Sequence, residues 1–144
     1  ANPQRDDIRV HAREALSRQI KRHIENNLSD PDLSTDSILS QFGISRAGLY
    51  RMFETNGGVR SYIMRRRTVR ALIDLSQSPF RRGNIARASE RWGFINHPTF
   101  NRVVQRIYHA SPGRLFAGEL PQSRDMGRQV ASFSHHTART AASV

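Results

Sequence analysis

The sequence predicts an all-α fold in which two small helical units are joined by a long connecting helix. Three observations carry this reading. Apolar residues near the N-terminus recur every four positions instead of alternating. Cap and glycine signals cut the rest of the chain into helical segments. A helix–glycine–helix segment occurs twice, with its glycines, Gly43 and Gly93, fifty residues apart. No period-two alternation is present, so no strand is expected.

The first helix is expected from about Asp7 to Asn27, after a frayed polar start over Ala1–Asp7. Ile8, Ala12, Leu16, Ile20, Ile24 and Leu28 form one amphipathic stripe along it. Asn26-Asn27 and Ser29-Asp30-Pro31 end it. Ser34 caps a second helix that runs to Phe42 and stops at Gly43, with Asp36 placed favourably in its first turn. Ser45 caps a third helix, to about Thr55, which Asn56-Gly57-Gly58 terminates. The connecting helix follows from Val59 to Ser76, its buried side read as Tyr62, Ile63, Val69, Leu72, Ile73 and Leu75. Ser78-Pro79 interrupts the pattern. Further helices are expected over Asn84–Trp92, from His97-Pro98 to His109, and over Gly113–Ala117. The organisation is therefore an N-terminal extension or interdomain helix (1–18), a first unit with the connecting helix (19–77), a second unit (78–118) and a polar tail (119–144).

Composition excludes several functions. The chain has 144 residues, 37% of them hydrophobic, which allows a thin helical core and no large catalytic cavity. There is no cysteine, and the six histidines show no ligand spacing, so no metal or thiol chemistry is expected and no cofactor. Apolar runs are too short to span a membrane, and a cytoplasmic protein is expected. No phosphate-cradling glycine loop, Ser/His/Asp arrangement or carboxylate pair suggests an enzyme.

Charge points toward polyanions. The chain carries 23 basic and 12 acidic residues, a net +11, and its pI is near 11.6. Between Leu33 and Leu115 fourteen arginines face four acids, so this segment holds nearly all of the excess. Such a field is the usual footprint of nucleic-acid binding. Lys21 is the only lysine. Arginine suits two-point contacts to phosphate and guanine.

The duplication sharpens this. Ile38-Leu39-Ser40-Gln41-Phe42-Gly43-Ile44 parallels Ala88-Ser89-Glu90-Arg91-Trp92-Gly93-Phe94. Each is a helix ending in aromatic–glycine–apolar, followed by a second helix, which is the helix-turn-helix pattern. Leu49, Met52 and Phe53 should pack inward in one copy, and Phe100, Val103, Val104 and Ile107 in the other. Gly43 and Gly93 are fifty residues apart but Arg51 and Arg102 fifty-one, so one turn has gained or lost a residue.

These residues resemble the DNA-binding region of AraC/XylS-type transcription regulators. Tyr62-Ile63, Arg67, Ala71 and Leu75 are similar to that family's connecting helix. Leu49, Arg51 and Phe53 match its first recognition helix. Ile85, Ser89, Gly93-Phe94, Phe100, Arg102 and Ser111-Pro112 stand at the spacings of its second unit. The resemblance spans about Ile20 to Phe116. Departures are Ala88 for a larger aliphatic residue, Val104 for phenylalanine, His109 for glycine, and Pro98.

The resemblance implies a homeodomain-like arm that reads double-stranded DNA with two recognition helices in successive major grooves. Those grooves lie about 34 Å apart, and a connecting helix of 18 residues would span about 27 Å. Two different units imply an asymmetric promoter site. The resemblance also implies bacterial transcription regulation, with activation the expected direction, contact with RNA polymerase, and a separate preceding effector or dimerisation domain.

Candidate base-reading residues are Arg46, Ala47, Tyr50 and Arg51 in the first unit and His97, Thr99, Asn101 and Arg102 in the second. Arginine can grip guanine O6 and N7, Asn101 can pair with adenine, and Ala47 can touch a thymine methyl. Ser45 and Asn96 read as caps or phosphate contacts. Of Arg65-Arg66-Arg67, Arg67 matches the family's arginine, which implies a structural role, and Arg65 or Arg66 reads as solvated. Trp92, Phe94 and Phe100 read as core. The rival readings are a charge-driven architectural nucleic-acid binder and a basic protein-interaction module.

Overall fold

The computed structural model describes residues 2–77, 79 and 81–116. Helices are the only regular structure among the described residues. They are α1 (Pro3–Asn26), α2 (Thr35–Phe42), α3 (Arg46–Phe53) with a single 3-10 turn at Glu54–Asn56, α4 (Val59–Ser76), α5 (Asn84–Arg91), α6 (His97–Tyr108) and α7 (Pro112–Phe116). The chain packs as two units, Ala1–Arg67 and Thr68–Val144, and the division falls inside α4. The expected tail, Ala117 of the last helix and Ser78 of the Ser78-Pro79 break lie outside the described residues.

In the first unit, Ile20, Ile24 and Leu28 are buried, as are Leu33, Ile38, Leu49, Phe53, Val59 and Ile63. The unit's aromatic side chains meet edge-on or tilted. Phe53 and Tyr62 lie 5.1 Å apart, and His23 and Phe42 5.4 Å. Two features of α1 differ from the sequence reading. It begins at Pro3 instead of Asp7, because Asn2 accepts a hydrogen bond from the Gln4 N–H and proline suits the first helical position. Its stripe is buried only in part: Ile8 is 67% exposed and Ala12 is exposed too. Four-residue spacing identifies a helix but not where along it a packing partner begins.

Arginine builds much of this unit's frame. The Arg67 guanidinium donates to the carbonyls of Leu28 (2.9 Å) and Asp30 (2.5 Å), fastening the turn after α1 to α4. Burial pulls its pKa below the ordinary guanidinium value, and the Asp30 charge opposes that shift. Arg66, which the sequence left as solvated, is instead paired with Glu25 of α1 through two nitrogens. Sequence spacing could not show this, because the partners are 41 residues apart.

The second unit buries Thr68, Ala71, Leu72 and Leu75 of α4, Ala88 and Ser89 of α5, Phe94, and Phe100 and Val104 of α6. Phe94 and Phe100 meet edge-on at 5.1 Å. Buried Ser89 donates its hydroxyl to the Ala86 carbonyl at 2.8 Å, so it carries no unmade bond. The Trp92 indole N–H donates to Asp74 Oδ2 at 2.8 Å, and Arg91 reaches the same oxygen at 3.3 Å. Ile107 was expected inside with Val104 but is 38% exposed. It lies in the last turn of α6, one residue before the half-buried Tyr108.

Candidate nucleic-acid interface

The two helix–turn–helix segments superimpose in sequence once their caps are matched. Ser45 precedes α3 and accepts from the Gly48 N–H at 3.1 Å. Asn96 precedes α6 and accepts from the Thr99 N–H at 2.9 Å. With Ser45 set on Asn96, Leu49 falls on Phe100 and Phe53 on Val104, and all four are buried. Arg51 falls on Arg102, and both are exposed. The turn glycines Gly43 and Gly93 both adopt a left-handed backbone (φ 59° and 80°), where any other residue would strain against its own Cβ.

This alignment identifies the inserted residue as Ile95. The first turn runs Gly43-Ile44-Ser45, and the second Gly93-Phe94-Ile95-Asn96. Phe94 takes the buried place after the glycine, and Ile95 is left 92% exposed beside the start of α6. The sequence showed that a residue had been gained or lost but not which one.

The candidate residues of the first unit form one exposed face. Arg46, Ala47, Tyr50 and Arg51 all lie exposed along α3, Tyr50 at 54%. Arg46 is held: its Nη2 lies 2.6 Å from Asp36 Oδ1, both side chains reaching solvent. Hydrogen bonding and charge from Asp36, with a smaller contribution from Tyr50, raise the Arg46 pKa above its ordinary value. No described residue partners Arg51. Asp36 entered the sequence reading only as a helix-dipole residue. Its bond to Arg46 crosses the turn over ten residues, outside any local spacing rule.

The second unit brings its candidates together less evenly. His97 and Arg102 are exposed, whereas Thr99 and Asn101 are half-buried. The Thr99 hydroxyl donates to Asn96 Oδ1 at 2.9 Å and accepts from Arg102 Nη2 at 3.3 Å. Thr99 thus links the cap to the arginine. Asn101, expected on the outer face, keeps its amide oxygen buried without a hydrogen-bond partner. Two-point pairing with a base would require that side chain to turn outward first.

The chemistry of both faces is that of hydrogen-bond donors on a basic surface. Arginine, tyrosine hydroxyl and imidazole can donate to phosphate oxygens or base edges. Among the described residues no cluster of His, Cys, Asp or Glu could hold a metal ion, and no helix is long and apolar enough to cross a membrane.

Comparison with known proteins gives a relative consistent with this geometry. The chain is 33% identical over 122 residues to the HTH-type transcriptional regulator YfiF of Bacillus subtilis, itself uncharacterized. The match takes in 84% of this chain and 37% of that protein, so the chain spans well under half the length of its relative. No family model matches the chain. No solved structure matches it either.

Proposed function

We propose that this chain is a DNA-binding arm of a bacterial transcription regulator of the AraC/XylS kind, with α3 and α6 as its two recognition helices. The observation that carries the reading is the repeated burial pattern. When the caps are matched, the same positions are buried in both helices, and an arginine stands exposed at the same place in each. A charge-only binder needs no such repetition. The net +10 over residues 33–115 and the similarity to an HTH-type transcriptional regulator support the same conclusion.

In this reading Arg46, Ala47, Tyr50 and Arg51 meet one stretch of base pairs, and His97, Thr99 and Arg102 another. The backbone amides at the starts of α3 and α6 approach phosphates. An effector or dimerisation domain elsewhere in the protein, contact with RNA polymerase and an activating role belong to the same proposal.

The experiment is selection from a randomised duplex pool at near-physiological salt. The expected result is an asymmetric site with two informative patches about ten base pairs apart, preferred over scrambled DNA by about 10³-fold or more. Arg51→Ala and Arg102→Ala should each relax one patch, by roughly 1–3 kcal/mol at the affected base pair. No consensus, with affinity that merely falls as salt rises, would replace this reading with the architectural one.

A further inference from the structure

We infer that Asp36 is a positioning residue for Arg46, holding its guanidinium at the start of α3 so that it reads a guanine at one place in the groove. This rests on the DNA-binding reading above. An exposed arginine has many rotamers, and freezing them on binding weakens both affinity and discrimination. Arg46 is already restrained, by the 2.6 Å contact between Nη2 and Asp36 Oδ1. The restraint is itself anchored. Asp36 sits in the first turn of α2, which a reciprocal capping box fixes: Ser37 N–H donates to Ser34 Oγ at 3.1 Å, and Ser34 N–H to Ser37 Oγ at 2.9 Å.

The contact also leaves donors over. A guanidinium has five N–H groups in a rigid fork, and one nitrogen meets Asp36. The remaining nitrogens can still offer the two donors that guanine O6 and N7 require.

A carboxylate near a phosphate backbone opposes binding to every sequence. Asp36 therefore lowers general affinity while sharpening one base preference. A carboxylate that acted through its charge alone would lower affinity for all duplexes alike. The two accounts separate in one experiment.

Binding of the chain, and of its Asp36→Asn, Asp36→Glu and Arg46→Ala variants, is measured on the selected duplex, on single-base-pair replacements of it and on a scrambled duplex. Asp36→Asn should bind the scrambled duplex at least as tightly as the original chain. The penalty for replacing one guanine should shrink by about tenfold, at the same base pair to which Arg46→Ala becomes indifferent. Asp36→Glu should restore part of the preference, and circular dichroism should show unchanged helix content. The inference is overturned if Asp36→Asn keeps the full penalty at every base pair while affinity rises uniformly. It is also overturned if Arg46→Ala leaves every preference intact. A chain that selects no site at all removes the DNA-reading proposal, and this inference goes with it. A selected site with an indifferent Asp36 removes only the inference.

Discussion

The two units carry the same burial pattern but stabilise it with different chemistry. Residues 1–67 contain twelve basic and eight acidic side chains, a net +4, and residues 68–116 contain eight and two, a net +6. The first unit uses its charges internally. Arg66 pairs with Glu25, Arg46 with Asp36, and Arg67 binds two backbone carbonyls. The second relies on aromatic packing and on hydrogen bonds that mostly pair a charged group with a neutral one. Phe94 meets Phe100, Ser89 bonds its own helix, and Arg102 rests on the Thr99 hydroxyl. Asp74, which joins Trp92 and Arg91, is its main acidic anchor. The duplication is thus one of buried positions, and the polar side chains around them differ between the copies.

The largest effect should come from the apolar centre of the second unit. Phe100 is fully buried, and its truncation removes both its area and its edge contact with Phe94. Phe100→Ala should cost about 3–5 kcal/mol, enough to unfold a unit of this size. Trp92 is the only tryptophan and belongs to this unit, so its fluorescence reports the second unit alone. Its thermal transition should fall sharply while part of the helical circular dichroism persists to higher temperature. Loss of both signals together would show that the units do not fold separately and would break the comparison.

The same contrast explains what was legible in the sequence. Elements were readable because their signals are local. Ser34, Ser45 and Asn96 cap helices, Gly43 and Gly93 end them, and α4 spans Val59–Ser76 as its apolar spacing required. Contacts between distant residues were not. Glu25 with Arg66, and Asp36 with Arg46, depend on how helices cross, and no spacing rule records that. Ile8 and Ile107 followed the correct period, yet both are exposed, because a period does not say which turns of a helix meet a partner. Asn101 shows the limit at a single residue: helical position placed it outside, yet its amide oxygen is buried.

The first unit's dependence on charge gives the next effect. Removing Arg67 leaves the buried Leu28 carbonyl without its donor, while the exposed Asp30 carbonyl keeps the Leu33 N–H at 3.2 Å. Arg67→Ala should cost about 1–3 kcal/mol, the cost of leaving one buried polar group unpaired. Arg67→Lys should recover only part of this, because an ammonium is a point donor and cannot reproduce the guanidinium's two-armed reach. Denaturant unfolding followed by circular dichroism should show the loss in the first unit, with a smaller change in Trp92 emission. Equal stability of Arg67→Lys and the original chain would mean that position-specific geometry contributes little there.

The smallest effect lies at the end of α6, where the two units again diverge. The first unit places glycine at each described residue of positive φ, namely Gly43, Gly57 and Gly58. The second does so at Gly83 and Gly93, but it ends α6 with His109 at φ 56°. Left-handed backbone costs a residue with a Cβ about 1–2 kcal/mol, less for histidine than for bulkier side chains. His109 is exposed, and the hydrogen bond at this position comes from its backbone, the N–H donating to the Gln105 carbonyl at 2.9 Å. A glycine there would keep that bond and remove the strain, at the expense of a more flexible unfolded chain. His109→Gly should therefore stabilise the second unit by about 0.5–1 kcal/mol. The Trp92 transition should rise by roughly 2–8 °C, while the first unit is unaffected. An unchanged or lowered transition would mean that relief of the left-handed backbone does not outweigh the added freedom of the unfolded chain at this turn.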